Sequence, residues 1–245
     1  MIWSEQKDIL GKKGSKLNNQ VIESKEGLNK FYGKIYGLLG IGISISALVA
    51  YLVMNVFRVQ VLFFFYTKPM AFTIIWLAEI ALVLLLSFKA AKQPTLAMSG
   101  FIAYSFLNGL TLAVTLQLYT QATIFGAFIS TAATFFAMSL IGVFTKRDLS
   151  ALGHAAYSAL LGVFIALLLN AFLLHSEPVD YAISILMVLI FSGLTAYDNQ
   201  KIRSVYYNSM VPSSTGVAVF LALQLYLDFI NLFLSFVSIL GGKNN

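Results

Sequence analysis

Between Gln93 and Thr145 the chain carries no Asp, Glu, Lys or Arg, and between Ser204 and Gly242 it carries only Asp228. Runs of this kind leave few choices. A water-exposed helix needs a broad charged or polar face, and these stretches carry almost no charge with which to build one. The whole chain is 59% hydrophobic and only 11% charged, where soluble domains carry roughly 25% charged residues. A soluble fold of this length could not hide so much apolar surface from water, but a bilayer accepts it. A spanning helix takes about 20 mostly apolar residues, and seven such stretches can be placed: 33–56, 71–89, 96–118, 121–144, 151–174, 181–203 and 215–240. The expected fold is an all-α membrane protein with seven transmembrane helices.

The charge pattern sets an expected orientation. With the N-terminus inside, the short inner loops hold Lys89, Lys92, Lys146, Arg147, Lys201 and Arg203, and the outer side holds Arg58, Lys68 and Lys243. An excess of Lys and Arg marks the cytoplasmic side, so the C-terminus is expected outside, in an integral protein of a bacterial plasma membrane. Residues 1–29 read as a polar, Lys-rich cytoplasmic tail, flexible or lying on the surface, and residues 30–242 as a single transmembrane domain. The tail has no apolar segment of the signal-peptide kind. The net charge of +6 is dispersed between apolar runs, which argues against nucleic acid as a partner. With no cysteine there is no disulfide, thiolate metal site or cysteine nucleophile. Gly33, Gly37, Gly40 and Gly42 in the first span are suited to close helix packing.

Ionisable groups inside spans are costly and therefore informative. Three acids lie well inside: Glu79, Asp198 and Asp228. Asp148, in TKRDLS, is placed to cap the next helix. Asp198 sits on the sixth span and Asp228 on the seventh, on either side of a turn expected near Met210–Ser214, where Pro212 favours a break. Counting along both helices puts the two carboxylates at similar depth, provided the sixth helix runs past Arg203. On the seventh span Gln224, Asp228, Asn231, Ser235 and Ser238 recur at spacings of four, three, four and three, one polar stripe on a helix. Ser192, Thr195 and Asp198 make a shorter stripe on the sixth. Two carboxylates brought together away from water titrate as a unit. Such a pair can share a proton, bind a cation, or exchange one for the other with pH. Glu79 and Asn231 could add oxygen ligands for a hard cation such as calcium, Gln224, Thr195 and Ser235 a polar lining, and Lys89 or Lys92 a counter-charge.

Other chemistries find no footing. Residues 204–242 hold no lysine for a retinal Schiff base, His154 and His175 form no HExxH, and no GxSxG, Walker or GxGxxG motif occurs. The chain reads as a non-enzyme with no cofactor.

Three segments then stand out together: FSGLTAYDNQKI (191–202), LYLDFINLFL (225–234) and TKRDLSALG (145–153). In order and spacing they resemble the Bax inhibitor-1 family (the transmembrane Bax inhibitor motif family), over roughly residues 30–240. The resemblance implies a last helix held centrally between two three-helix layers, and a pH-sensitive calcium leak whose sensor is the aspartate pair. Asp198 falls at the family's YD position, Asp228 at its LDF position and Glu79 at its second-helix glutamate. Some bacterial members latch the pair with an arginine at the inner end of the second helix. This chain reads SFKAAKQP there, with Lys89 and Lys92 in that place, and lysine lacks the planar guanidinium fork. Two further readings stand beside the leak: a non-conducting regulator of a membrane protease or another membrane partner, and a proton-coupled transporter.

Overall fold

The structure, a computed structural model, describes residues 2–68, 70–208 and 214–242, with side chains from residue 25 onward. Among the described residues there is no strand. In hydrocarbon every backbone N–H and C=O must find its partner inside the segment, and a helix does this without help. The chain forms α1 (Ile2–Asn55), α2 (Arg58–Thr67), α3 (Met70–Lys89), α4 (Pro94–Leu116), α5 (Gln121–Phe144), α6 (Ser150–Leu169), α7 (Glu177–Asn208) and α8 (Thr215–Gly241). Seven candidate spans result: Lys25–Asn55, α3, α4, α5, α6 with its extension to Leu174, α7 and α8. The seven stretches expected from hydropathy are all there.

The ends follow local chemistry. Thr120 caps α5 by accepting from the Thr123 N–H at 3.2 Å, and Ser214 caps α8 by accepting from Val217 at 3.2 Å. Pro94 opens α4, where its missing N–H costs nothing. The Asp148 carboxylate accepts from the Ser150 N–H at 2.9 Å at the start of α6, the capping role expected of it. Hydrogen bonds from Ser150, side chain first and backbone second, hold that carboxyl below the usual carboxylate range. A depressed native pKa stabilises the fold above the unfolded value and ceases to do so as pH falls through the native one. Asp148→Ala should therefore melt below the parent protein at pH 7, and the gap should close as the pH drops below the ordinary carboxylate range.

Three features were not legible in the sequence. The α1 backbone is helical from Ile2 through the expected boundary at residues 29/30. Gly27 and Asn29 are weak helix formers, but Glu26 and Lys30 pair across them at 2.7 Å. The short α2 stands between the first two spans. The end of α6 widens into a π turn, Asn170–Leu174, closed by His175 at φ 50°. The buried Asn170 amide holds that turn, donating to Asp180 at 2.6 Å and to the Ser176 carbonyl at 3.0 Å. The turn expected at Met210–Ser214 lies outside the described residues apart from Ser214, as does Lys243.

Of all the helices α8 is the most enclosed, with Leu225, Tyr226 and Leu232 shut off from solvent. It packs against α1, α4, α5 and α7. Around it α1 packs on α4 and α4 on α3, while α7 packs on both α5 and α6. In the first span Gly42 meets the rings of Phe101 and Tyr226, whereas Gly33, Gly37 and Gly40 face open space.

Candidate functional site

Asp198 and Asp228 are 2% and 3% exposed, and they line the same cavity, of about 240 Å³, between α3, α6, α7 and α8. The condition on depth is met, because α7 continues to Asn208. Asp198 lies ten residues before that end and Asp228 thirteen after the start of α8, so each sits about 15–20 Å from the membrane end that the two helices share. One oxygen of each, Asp198 Oδ1 and Asp228 Oδ2, is buried with no hydrogen-bond partner. Buried polar groups in native proteins are nearly always paired, so two unpartnered carboxylate oxygens in one cavity single this pair out as the candidate site.

Lys201 stands one turn beyond Asp198 on α7 and reaches Gln224, a residue of the acid cavity. Its ammonium donates to Gln224 Oε1 at 3.2 Å and lies 5.9 Å and 5.8 Å from the ring centroids of Tyr197 and Phe220. It makes no ion pair within 4 Å of either carboxylate; among the described residues the one such pair is Lys30–Glu26. Lys201 was counted in the sequence only as an inner-loop charge. The spacing Asp198-x-x-Lys201, which puts both on one helix face, was the signal available.

Asn199, also not singled out from the sequence, fixes the register of α7 beside the acid. Its Oδ1 accepts from the Tyr36 hydroxyl at 2.5 Å, its amide donates to Ser139 Oγ at 3.1 Å, and its carbonyl accepts from Tyr32 at 2.9 Å. These bonds tie α7 to α1 and α5, so Asp198 is presented toward α8 from an anchored turn.

The other expected residues divide. Gln224 and Asn231 line the acid cavity, and the Asn231 amide donates to the Leu227 carbonyl at 2.7 Å. Thr195 and Ser235 turn their hydroxyls to the Phe191 and Asn231 carbonyls of their own helices and do not line it. Lys89 and Lys92 are exposed and are not among the residues around the pair. Glu79 is buried but stands apart from the cavity: its Oε1 accepts from Thr111 Oγ1 at 3.0 Å. Close by, the Tyr226 hydroxyl donates to Asn108 Oδ1 at 2.8 Å and meets Ser46 Oγ at 2.6 Å, so a second polar cluster links α1, α3, α4 and α8. Among the described residues no three acids or histidines converge as a metal-binding group. The side-chain oxygens lining the cavity are those of the two carboxylates, the amides of Gln224 and Asn231, and the hydroxyls of Ser87 and Tyr157.

Seven membrane-length helices, four of them lining a cavity with a buried carboxylate pair, define an integral membrane protein. Comparison with known proteins narrows the class. The sequence model described as inhibitor of apoptosis-promoting Bax1 matches residues 28–245, and the chain belongs to this, the Bax inhibitor-1 family. A membrane protein of Streptococcus pyogenes serotype M1 is 46% identical over 227 residues, which cover 92% of this chain and 99% of that one. The inner membrane protein YbhL of Escherichia coli K12 is 36% identical over 230 residues, covering 92% and 97%. The protein YrjE of Lactococcus lactis is 39% identical over 225 residues, covering 91% and 96%.

Proposed function

We propose that this protein is a pH-sensitive leak for calcium across a bacterial plasma membrane, gated by a proton shared between Asp198 and Asp228. The observation that carries this reading is the pair of buried, unpartnered carboxylate oxygens facing one cavity between α7 and α8. With one proton the pair holds a single negative charge, offset by Lys201. With none it holds two, which repel each other and attract a divalent cation. The two states favour different separations of α7 and α8, and the cavity between them opens or narrows accordingly. Calcium passes as cargo: among the described residues no third acid joins the pair as a dedicated metal-binding group, and water completes the six to eight oxygens that calcium takes. The N-terminus and the basic ends of α5 and α7 face the cytoplasm, as the distribution of Lys and Arg favours. The protein works without a cofactor and is not an enzyme.

Purified protein in liposomes loaded with a calcium indicator should carry a flux that changes steeply between pH 5 and pH 8. No flux at any pH would overturn the leak. If the same preparation bound a membrane protease, and lost that binding on removal of residues 1–28, it would be a non-conducting regulator instead. Saturable, proton-driven uptake of a small solute would make it a transporter.

A further inference from the structure

At the membrane end shared by α5, α6 and α7, a crevice of about 410 Å³ opens. Four cations line it, Lys146, Arg147, Lys201 and Arg203, against one acid, Asp148. We propose that this crevice binds the phosphate of an anionic phospholipid headgroup.

Three features of the crevice support a built site. Its basic loop is fastened to α7 by Gln200, whose amide donates to the Arg147 carbonyl at 2.7 Å and accepts from the Leu149 N–H at 2.8 Å. The cations on the loop and on α7 are thus presented from one connected backbone. The lone acid is already engaged, accepting from Ser150 at the start of α6, and it offers the cations little. Among the described residues, none of the four cations has a carboxylate within 4 Å. Lys201 is shared with the acid cavity, but the like charges of Lys146, Arg147 and Arg203 repel in the crevice, and an anion relieves that repulsion.

Position and chemistry select the ligand. Arginine presents a planar fork suited to phosphate oxygens, and charge-assisted bonds of this kind are the strong ones. The crevice lies where three spans end, and Tyr197 and the exposed Tyr207 contribute to its wall. Tyrosines collect at the headgroup level of a membrane. A lipid phosphate is held at that level by its own acyl chains, whereas a free phosphate has to be captured from solution.

Native mass spectrometry of the full chain, released from detergent with phosphatidylglycerol or phosphatidylcholine, tests the assignment. Phosphatidylglycerol should be retained in preference. Arg147→Ala and Arg203→Ala should each weaken retention about tenfold, the size of one charge-assisted contact. Both arginines are exposed, so neither change disturbs the packed helices, and Arg203→Lys, which keeps the charge without the fork, should fall between. Arg58→Ala, at the opposite membrane end, should change nothing. Equal retention of both lipids, or full retention by the arginine variants, would overturn the proposal. Inorganic phosphate displacing the lipid at equal concentration would overturn the lipid assignment and make the crevice a free-phosphate site.

Discussion

A protein carrying Asp198→Asn and Asp228→Asn together should lose the pH dependence of its calcium flux across pH 5–8. The side chains stay nearly the same size, the helices keep their packing, and what vanishes is the ability to change charge. A one-proton switch alters the ratio of its two states about tenfold per pH unit until one state dominates. The parent profile should be steep somewhere in the range and the double variant flat throughout. The fold should survive, because the change removes two ionisable groups from a buried place where charge is expensive, and both carry an oxygen that already lacks a partner. The variant should melt no lower than the parent at pH 8, where the burden of two charges is greatest. Glu79→Gln is the matched control. It neutralises the third buried acid, but that acid is hydrogen-bonded to Thr111 and lies apart from the cavity, so the pH profile should persist. A double variant that kept the parent's profile, or a Glu79→Gln protein that lost it, would move the sensor away from the aspartate pair.

The contrast between these acids shows what could be read from sequence and what could not. The seven spans were legible because burial in lipid selects on composition along the chain, which needs no knowledge of neighbours. The pairing of Asp198 with Asp228 was legible for a related reason: both lie on helices joined by one hairpin, and helix rise converts residue number into depth. Glu79 looked equivalent to them by the same count, yet the structure turns it toward Thr111 on α4. Depth was available from numbering, but direction depends on how α3 is rotated against its neighbours, and its amphipathicity is too weak to say. Lys89 and Lys92 had the right depth for a counter-charge and the wrong neighbours, whereas Lys201 has the neighbours. Asn199 was hidden by proximity: it stands next to the residue that drew attention, about 100° further round the helix, and its partners Tyr36 and Ser139 come from helices remote in sequence. Contacts between distant spans leave no local periodicity to find.

The same packing argument yields a prediction about the frame that holds Asp198 in place. Gly142 on α5 is buried against α7, and a Cβ at this position would land on the carbonyl oxygen of Ala196 and come within 2.8 Å of the Asn199 Cβ. The obstacle is backbone, so no rotamer change can clear it. Gly142→Val should drive α5 away from α7 at the turn where Asn199 anchors the acid. Overpacking in a well-filled interior costs typically about 1–3 kcal/mol, and an immovable obstacle puts this case at the upper end. Loss of the Asn199–Ser139 hydrogen bond as the helices part would add about 1 kcal/mol. The detergent-solubilised variant should therefore show a melting temperature several degrees lower and a reduced folded yield. Gly37→Ala in α1 is the informative comparison, since nothing lies within 4 Å of its added Cβ and alanine favours the helix over glycine by about 1 kcal/mol. That protein should melt at or above the parent temperature. A Gly142→Val protein as stable as the parent would mean that α5 and α7 do not approach at this glycine. The anchored turn that presents Asp198 to α8 would then have to be built some other way.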